Sequence, residues 1–395
     1  MRKFIIFSIL AITLSACGYD TLAIEGQSAL TNQNGPQRYI VSFDGQADET
    51  AVTNHGGQVL NKLNLVNGLA VLLPDHAAAS KVRAEKGVKL VEEDALVYSS
   101  AKPAPAPQPA QIVAWGVSRI GANAAWAVNN KGAGVKVAIL DTGIDKNHLD
   151  LAANIKGGVN FVSSNPAKPA DPNKWDDDNG HGTHVAGIVA AQDNAIGTVG
   201  VAPEAQLYAV KVLNRNGSGY VSGIIAGLDW AVENGMQVVN MSLGTNTDMQ
   251  ALHNAVDAAS AAGVLLVAAA GNDGDGDPTT NNVDYPAKYS SVIAVGATAS
   301  DDSVPAWSSD GAEVEVSAPG AGVLSTWNDG YYKSISGTSM ASPHAAGTLA
   351  LMLASGALPA DARALLQTTA EDLGAPGLDV FYGYGLADAE KAVGL

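Results

Sequence analysis

"VKVAILDTGID" (residues 135–145) opens with six residues of which only Lys136 is polar, and the run stops abruptly at a carboxylate, Asp141. A short, unbroken apolar stretch without alternation reads as a strand covered on both faces. Asp141 follows it directly, where a carboxylate is costly unless it is paired or hydrogen-bonded. Similar runs recur downstream: "LYAVKV", "QVVNMS", "VLLVAAA", "VIAVGA" and "VEVSAP". Between them lie helical stretches such as "THVAGIVAA", "YVSGIIAGLDWAVEN" and "MQALHNAVDAASAAG". Strands of this kind alternating with helices predict an α/β fold with a doubly wound, mostly parallel sheet. In such sheets function gathers at the carboxyl ends of the strands, which is where Asp141 falls.

The composition is that of a globular protein: 395 residues, 47% of them hydrophobic, with 43 glycines and a net charge of −17. The charge is uneven, since 29 acidic and 13 basic residues lie from Ala110 onward and the first 109 residues are nearly balanced. An acidic body argues against nucleic acid or an anionic membrane as partner. It suits a soluble protein working outside the cell, with bound cations.

The amino terminus divides into segments. "MRKFIIFSILAITLSAC" (1–17) has Arg2 and Lys3, an apolar run and then small residues, the pattern of a secretory signal. An ordinary signal-peptidase cut after Ala16 would want a small residue three back, where Leu14 sits; "LSAC" instead resembles the bacterial lipobox, which favours lipidation of Cys17, the single cysteine, over simple secretion. Residues 18–37 read as a polar tether. Residues 38–98 read as a small ferredoxin-like α+β domain in the order βαββαβ, with a hairpin turn at Asn67-Gly68 and "VKLVEEDALVYS" as its last strand. Residues 99–110 are a stiff Pro/Ala linker, and 111–395 form the large domain.

Two further stretches bear on chemistry. In "NGHGTHVAGIVAA" (179–191), His181 sits between two glycines just before a helix and His184 falls inside it; the glycines suggest space cleared around an imidazole. In "SISGTSMASPHAAGTLALML" (334–353), Ser339 stands at the entrance to an apolar helix, whose unpaired N–H groups favour negative charge nearby. Ser336 and Ser342 compete with it, and Ser342, before Pro343, reads as structural.

Taken together, in the order Asp, His, Ser, these stretches resemble those of subtilisin-like serine proteases, a likeness that runs from Ala110 to the C-terminus. The resemblance implies a serine endopeptidase with Ser339 as nucleophile, His181 as general base and Asp141 as the carboxylate that orients the imidazole. It makes Asn272, in "VAAAGND", an oxyanion donor beside the Ser339 backbone N–H. It places the edges of the substrate cleft at Gly217, Ser218 and Gly219 and at Ser242, Leu243 and Gly244, where an extended peptide would add as a strand. It places Asp284, where many relatives carry glycine, at the base of the primary specificity pocket and Asp273 at its rim, which would favour Lys or Arg before the cleaved bond.

The resemblance also implies structural Ca2+, held by the side chains of Gln111, Asp150 and Asn194 and the carbonyls of Gln192, Ile196 and Thr198. Leu149 departs from the proline usual before this Asp, and "WDDDNG" (175–180) offers a possible second ion site. The small domain becomes a propeptide that assists folding and inhibits, its C-terminal strand leaving a product-like tail in the cleft, with self-cleavage between Tyr98 and Gln111, either near Tyr98 to Lys102 or on the Ala110 side. The expected product is a monomeric extracellular protease acting on proteins or peptides, released from a lipid-anchored precursor.

Overall fold

The computed structural model describes residues 35–99, 102–104, 110–163 and 168–395. The signal segment with Cys17, the tether up to residue 34 and parts of the Pro/Ala linker lie outside the described residues.

Seven parallel strands form the central sheet in the spatial order Val314–Pro319, Ile293–Thr298, Leu265–Ala269, Val238–Met241, Lys136–Asp141, Gln206–Lys211 and Ile155–Asn160. The chain begins at Lys136–Asp141, runs outward to one edge, and then returns to build the other half from Val238–Met241. Asp141 therefore ends the strand at which the winding reverses, the place where such sheets open a crevice.

Alternate residues on each strand feed different layers. Val137, Ile139, Leu207, Val267 and Val295 pack with the helices His181–Ala190 and Thr338–Ala354. Ala138, Leu140, Val210, Val239 and Leu266 pack with Val221–Glu233 and Gln250–Ala261 on the opposite face. Both helices that carry candidate catalytic side chains thus lie on one face.

The small domain is a four-stranded antiparallel sheet in the order Gln58–Leu63, Gly68–Leu73, Gln37–Phe43 and Val88–Glu93, with the helices Thr50–Thr53 and His76–Arg83. Its Leu60, Leu63, Val66 and Ala70 join the apolar layer around Val221–Glu233 and Gln250–Ala261, so this face of the large domain is not left to water.

Two local expectations change. The turn at Asn67-Gly68 is preceded by a 3-10 turn at Asn64–Val66, and Asn67 adopts φ +47°. This widening lets the Leu65 N–H donate to Asp229 Oδ1 at 2.6 Å, tying the loop to the helix beneath. The expected last strand is two strands, Val88–Glu93 and Leu96–Ser99, broken at Asp94. Asp94 is buried, accepts from Arg38 Nε at 3.0 Å and the Ser222 N–H at 2.9 Å, and also bonds the Ser222 hydroxyl. Its carboxylate caps the start of Val221–Glu233, which turns the chain out of the small sheet and toward the large domain.

Removing one partner of such a buried pair leaves an uncompensated charge and costs roughly 3–5 kcal/mol. Asp94→Ala, which strands Arg38, is expected to lower the urea midpoint of the full-length chain accordingly; an unchanged midpoint would contradict the role given to this carboxylate.

Candidate active site

Asp141 and His181 meet at the carboxyl end of the sheet. The His181 Nδ1–H donates to Asp141, with Oδ1 at 2.7 Å and Oδ2 at 2.9 Å, and both side chains are essentially inaccessible to water. Asp141 Oδ1 also accepts from the Thr142 N–H at 2.7 Å. With Nδ1 occupied in this way, the proton-accepting nitrogen is Nε2, a buried atom for which no hydrogen bond occurs among the described residues.

The position of His181 at the first turn of its helix is set by neighbours that the motif did not reveal. Asp177 Oδ1 accepts from the Thr142 hydroxyl and from the N–H groups of Asn179 and Gly180, each at 2.9 Å. Its Oδ2 accepts from Thr183 N–H and Thr183 Oγ1 at 2.9 and 2.6 Å. Asp178 pairs with the buried Lys211, whose Nζ also donates to the carbonyls of Thr142 and Leu213. Asp176 pairs with Lys146. Hydrogen bonds and lysines thus account for the acidic run 176–178, which had suggested a second ion.

The glycines around His181 also serve a different purpose from the one expected. Gly180 has φ +113°, and a Cβ there would lie 2.2 Å from the Trp327 ring. A Cβ on Gly182 would lie 2.1 Å from the Gly143 carbonyl oxygen. They permit close packing of the helix start against Trp327 and the Asp141 loop; they are not there to open space for a substrate. His184 lies behind, fully buried, with Nε2 donating to the carbonyls of Val323 and Lys333, and burial pushes its pKa down to about 3.

Ser339 is the second residue of the helix Thr338–Ala354 and is fully buried. Its hydroxyl donates to the Ser242 carbonyl at 3.2 Å, while the Ser242 hydroxyl donates to the Ser339 carbonyl at 2.7 Å. The Ser339 hydroxyl is thus held at Ser242 and makes no hydrogen bond to His181 Nε2. Ser342 Oγ donates to Asn240 Oδ1 at 2.7 Å and Ser336 Oγ accepts from Gly322 N–H at 2.9 Å, so both competing serines have structural partners. Asn272 Oδ1 accepts from the Thr338 N–H at 2.9 Å. An amide held by its oxygen at the entrance of the serine helix presents its nitrogen in a fixed direction.

The cleft is filled by the chain itself. Leu96–Ser99 runs antiparallel between Ser218–Tyr220 and Leu243–Gly244, with Tyr98 opposite both Ser218 and Gly244 and Ser99 opposite Leu243. Just beyond, Lys102–Ala104 pairs antiparallel with Tyr332–Ser336, the strand leading into the serine helix.

The residues expected to hold calcium converge on the loop after the histidine helix. Asp150 is fully buried; its Oδ1 accepts from Asn194 Nδ2 at 2.6 Å and its Oδ2 from Thr198 N–H and Tyr332 Oη, both at 3.1 Å. Gln111 Oε1 accepts from the Asn194 N–H at 2.5 Å, and the Gln192 N–H donates to the Asp150 carbonyl at 2.8 Å. Among the described residues no lysine or arginine pairs with Asp150, and burial raises its carboxyl above the usual range. Ile196 bridges to Ala110, and Thr198 Oγ1 is buried with no partner among the described residues. This set of oxygen donors around an uncompensated carboxylate fits a hard cation. Among the described residues no three His, Cys, Asp or Glu side chains gather, so an ion here would rest on one carboxylate with amide and carbonyl oxygens.

A buried acid–imidazole pair and a helix-entrance serine at one end of a parallel sheet suit acyl transfer, and likeness to known proteins makes the class definite: the chain is a serine endopeptidase. It is 40% identical over 383 residues to subtilisin E of Bacillus subtilis (strain 168), covering 94% of this chain and 95% of the relative. It is 48% identical over 285 residues to subtilisin DY of Bacillus licheniformis, covering 72% and 99%. It is 40% identical over 391 residues to an alkaline protease of Shouchella clausii, covering 94% and 95%. The sequence model of the subtilase family matches residues 132–385, and the chain belongs to that family.

Gly180→Ala should force its Cβ against Trp327 at a backbone angle that disfavours alanine, costing at least about 1 kcal/mol of stability. Thermal unfolding reads this, and a variant as stable as the parent would refute the packing role of Gly180.

Proposed function

We propose that this chain is the precursor of an extracellular, calcium-stabilised endopeptidase that works through Asp141, His181 and Ser339. Residues 38–98 act as folding aid and inhibitor. The observation that carries the precursor reading is the strand Leu96–Ser99, held on both sides as a peptide substrate would be.

Catalysis begins when the Ser339 hydroxyl rotates about Cα–Cβ from the Ser242 carbonyl toward His181 Nε2. Nε2 takes the proton as Oγ forms a bond to the substrate carbonyl carbon. The Asn272 amide and the Ser339 N–H receive the negative oxygen. The imidazolium, stabilised by Asp141, passes its proton to the leaving amine as the C–N bond breaks, leaving an acyl-enzyme that water hydrolyses by the same steps in reverse. Asp141 keeps the imidazole in the useful tautomer and takes no proton itself.

Calcium, when bound near Asp150, would stabilise the loop that follows the histidine helix. Ala110–Val113 is already docked there: Gln111 N–H donates to the Ala195 carbonyl, and Ile112–Val113 pairs with Thr198–Val199. At the same time Leu96–Ser99 occupies the cleft, so ion binding needs no prior cut. If Cys17 carries a lipid, a cut between Tyr98 and Gln111 separates the endopeptidase from its anchor. Among the described residues no helix is long and apolar enough to cross a membrane.

Ser339→Ala should leave the precursor uncut and inert toward casein. Asp141→Asn should lower kcat/KM by about 10⁴-fold with folding intact, and Asn272→Ala should lower kcat by about 10²–10³-fold. Casein hydrolysis by Ser339→Ala would end the proposal. Calcium at a hundredfold excess over its Kd should stabilise the uncut Ser339→Ala chain by about 2.7 kcal/mol. Asp150→Ala should abolish that gain, and calorimetry with and without a chelator measures both.

A further inference from the structure

Asp284 is a partly buried carboxylate to which, among the described residues, no hydrogen-bond donor and no ion-pair partner comes. Its own backbone is firmly fixed. The Asp284 N–H donates to the Ala270 carbonyl at 2.7 Å, and the next residue, Tyr285, exchanges backbone hydrogen bonds with Thr245 at 2.8 and 2.9 Å. Asp284 is thereby stitched between the turn that carries Asn272 and the end of the cleft strand Leu243–Gly244.

Two glycines show where the carboxylate lies. A Cβ on Gly244 would come within 2.8 Å of Asp284 Oδ2, and a Cβ on Gly271 within 2.9 Å of the same atom. The carboxylate therefore lies between the two walls, at positions where neither wall has a side chain to cover it. Gly244 pairs with Tyr98 of the strand lying in the cleft, so the gap adjoins the bound peptide.

The charges around it leave a positive group wanting. Asp273, on the Asn272 turn, is of like sign. Lys288 attracts it, but its Nζ is hydrogen-bonded to Asn281 Oδ1 at 2.8 Å and lies 6.0 Å from the Tyr285 ring centre. A carboxylate in this setting loses hydration and gains no donor in return.

From this geometry we infer that Asp284 makes the enzyme select Lys or Arg immediately before the cleaved bond, and that protonating Asp284 switches the preference to apolar residues. An ammonium or guanidinium entering the pocket supplies the missing charge and the missing donors together. A neutral carboxyl supplies no such attraction and leaves a largely uncharged slot. Burial, reinforced by Asp273, pushes the Asp284 carboxyl up to about 7, so the charged form prevails above neutrality and is lost as the pH falls through that value. The inference rests on the endopeptidase reading above and names its substrate class.

The test compares kcat/KM for four peptide p-nitroanilides that differ only in the residue before the bond (Lys, Arg, Phe or Leu) between pH 5.5 and 9. The readout is the ratio of Lys to Phe, in which titrations common to both substrates cancel. The parent enzyme should show a ratio that rises by about tenfold or more through neutral pH. Asp284→Asn and Asp284→Gly should both give a low ratio that does not change with pH. A flat ratio in the parent, or the same rise in either variant, would overturn the inference while efficient Phe and Leu cleavage kept the endopeptidase reading intact. Failure to cleave any of the four would bring down both.

Discussion

Asp141 carries a carboxylate into the interior at the end of the central strand, and the surrounding architecture is organised by the need to compensate it. The His181 imidazole and the Thr142 N–H supply the donors; the second is the next residue in the chain, and the first reaches the carboxylate because the helix His181–Ala190 begins directly over the strand end. Asp177 fixes that beginning by gathering the N–H groups of Asn179, Gly180 and Thr183 together with the Thr142 hydroxyl. Lys211 closes the arrangement from the neighbouring strand. A second carboxylate and a buried lysine are thus arranged around the first so that one imidazole has a single orientation. Preorganisation of this kind lets charge develop at the imidazole without the surroundings having to rearrange.

The cleft uses a different physics. Its two edges, Ser218–Tyr220 and Leu243–Gly244, pair with the backbone of Leu96–Ser99, and backbone is the same in every peptide. The chain's own segment can therefore pair there whatever its side chains. What keeps it there is the docking of the small domain: apolar contacts over Val221–Glu233 and Gln250–Ala261, and carboxylates of that domain at the start of both helices. Asp94 caps the first and Glu92 accepts from the N–H groups of Gln250 and Ala251 at the second. Between Gly244 and Gly271 lies the carboxylate of Asp284, which has no hydrogen-bond or ion-pair partner among the described residues.

The sheet, the order of its strands' apolar runs and the residue types able to do acyl-transfer chemistry were legible in the sequence. Burial on both faces writes itself as unbroken apolar strands, and the stretches holding Asp141, His181, Asn272 and Ser339 are each compact enough to be seen locally. Asp177 and Lys211 were not legible as parts of the site, because a charged residue in a polar loop or at a strand end looks like any solvated charge until its partners are known. The role of the glycines beside His181 is hidden for the same reason: their need comes from Trp327 and Gly143, the former far away in the chain.

The sequence by itself thus determined the alternation of strand and helix, because periodicity and burial are properties of neighbouring residues. Only the tertiary structure decided that the strand expected to finish the small domain breaks at Asp94. Only it decided that the Ser339 hydroxyl rests on Ser242. Both depend on contacts between residues more than ninety positions apart, whose energies exist only once the chain has closed on itself.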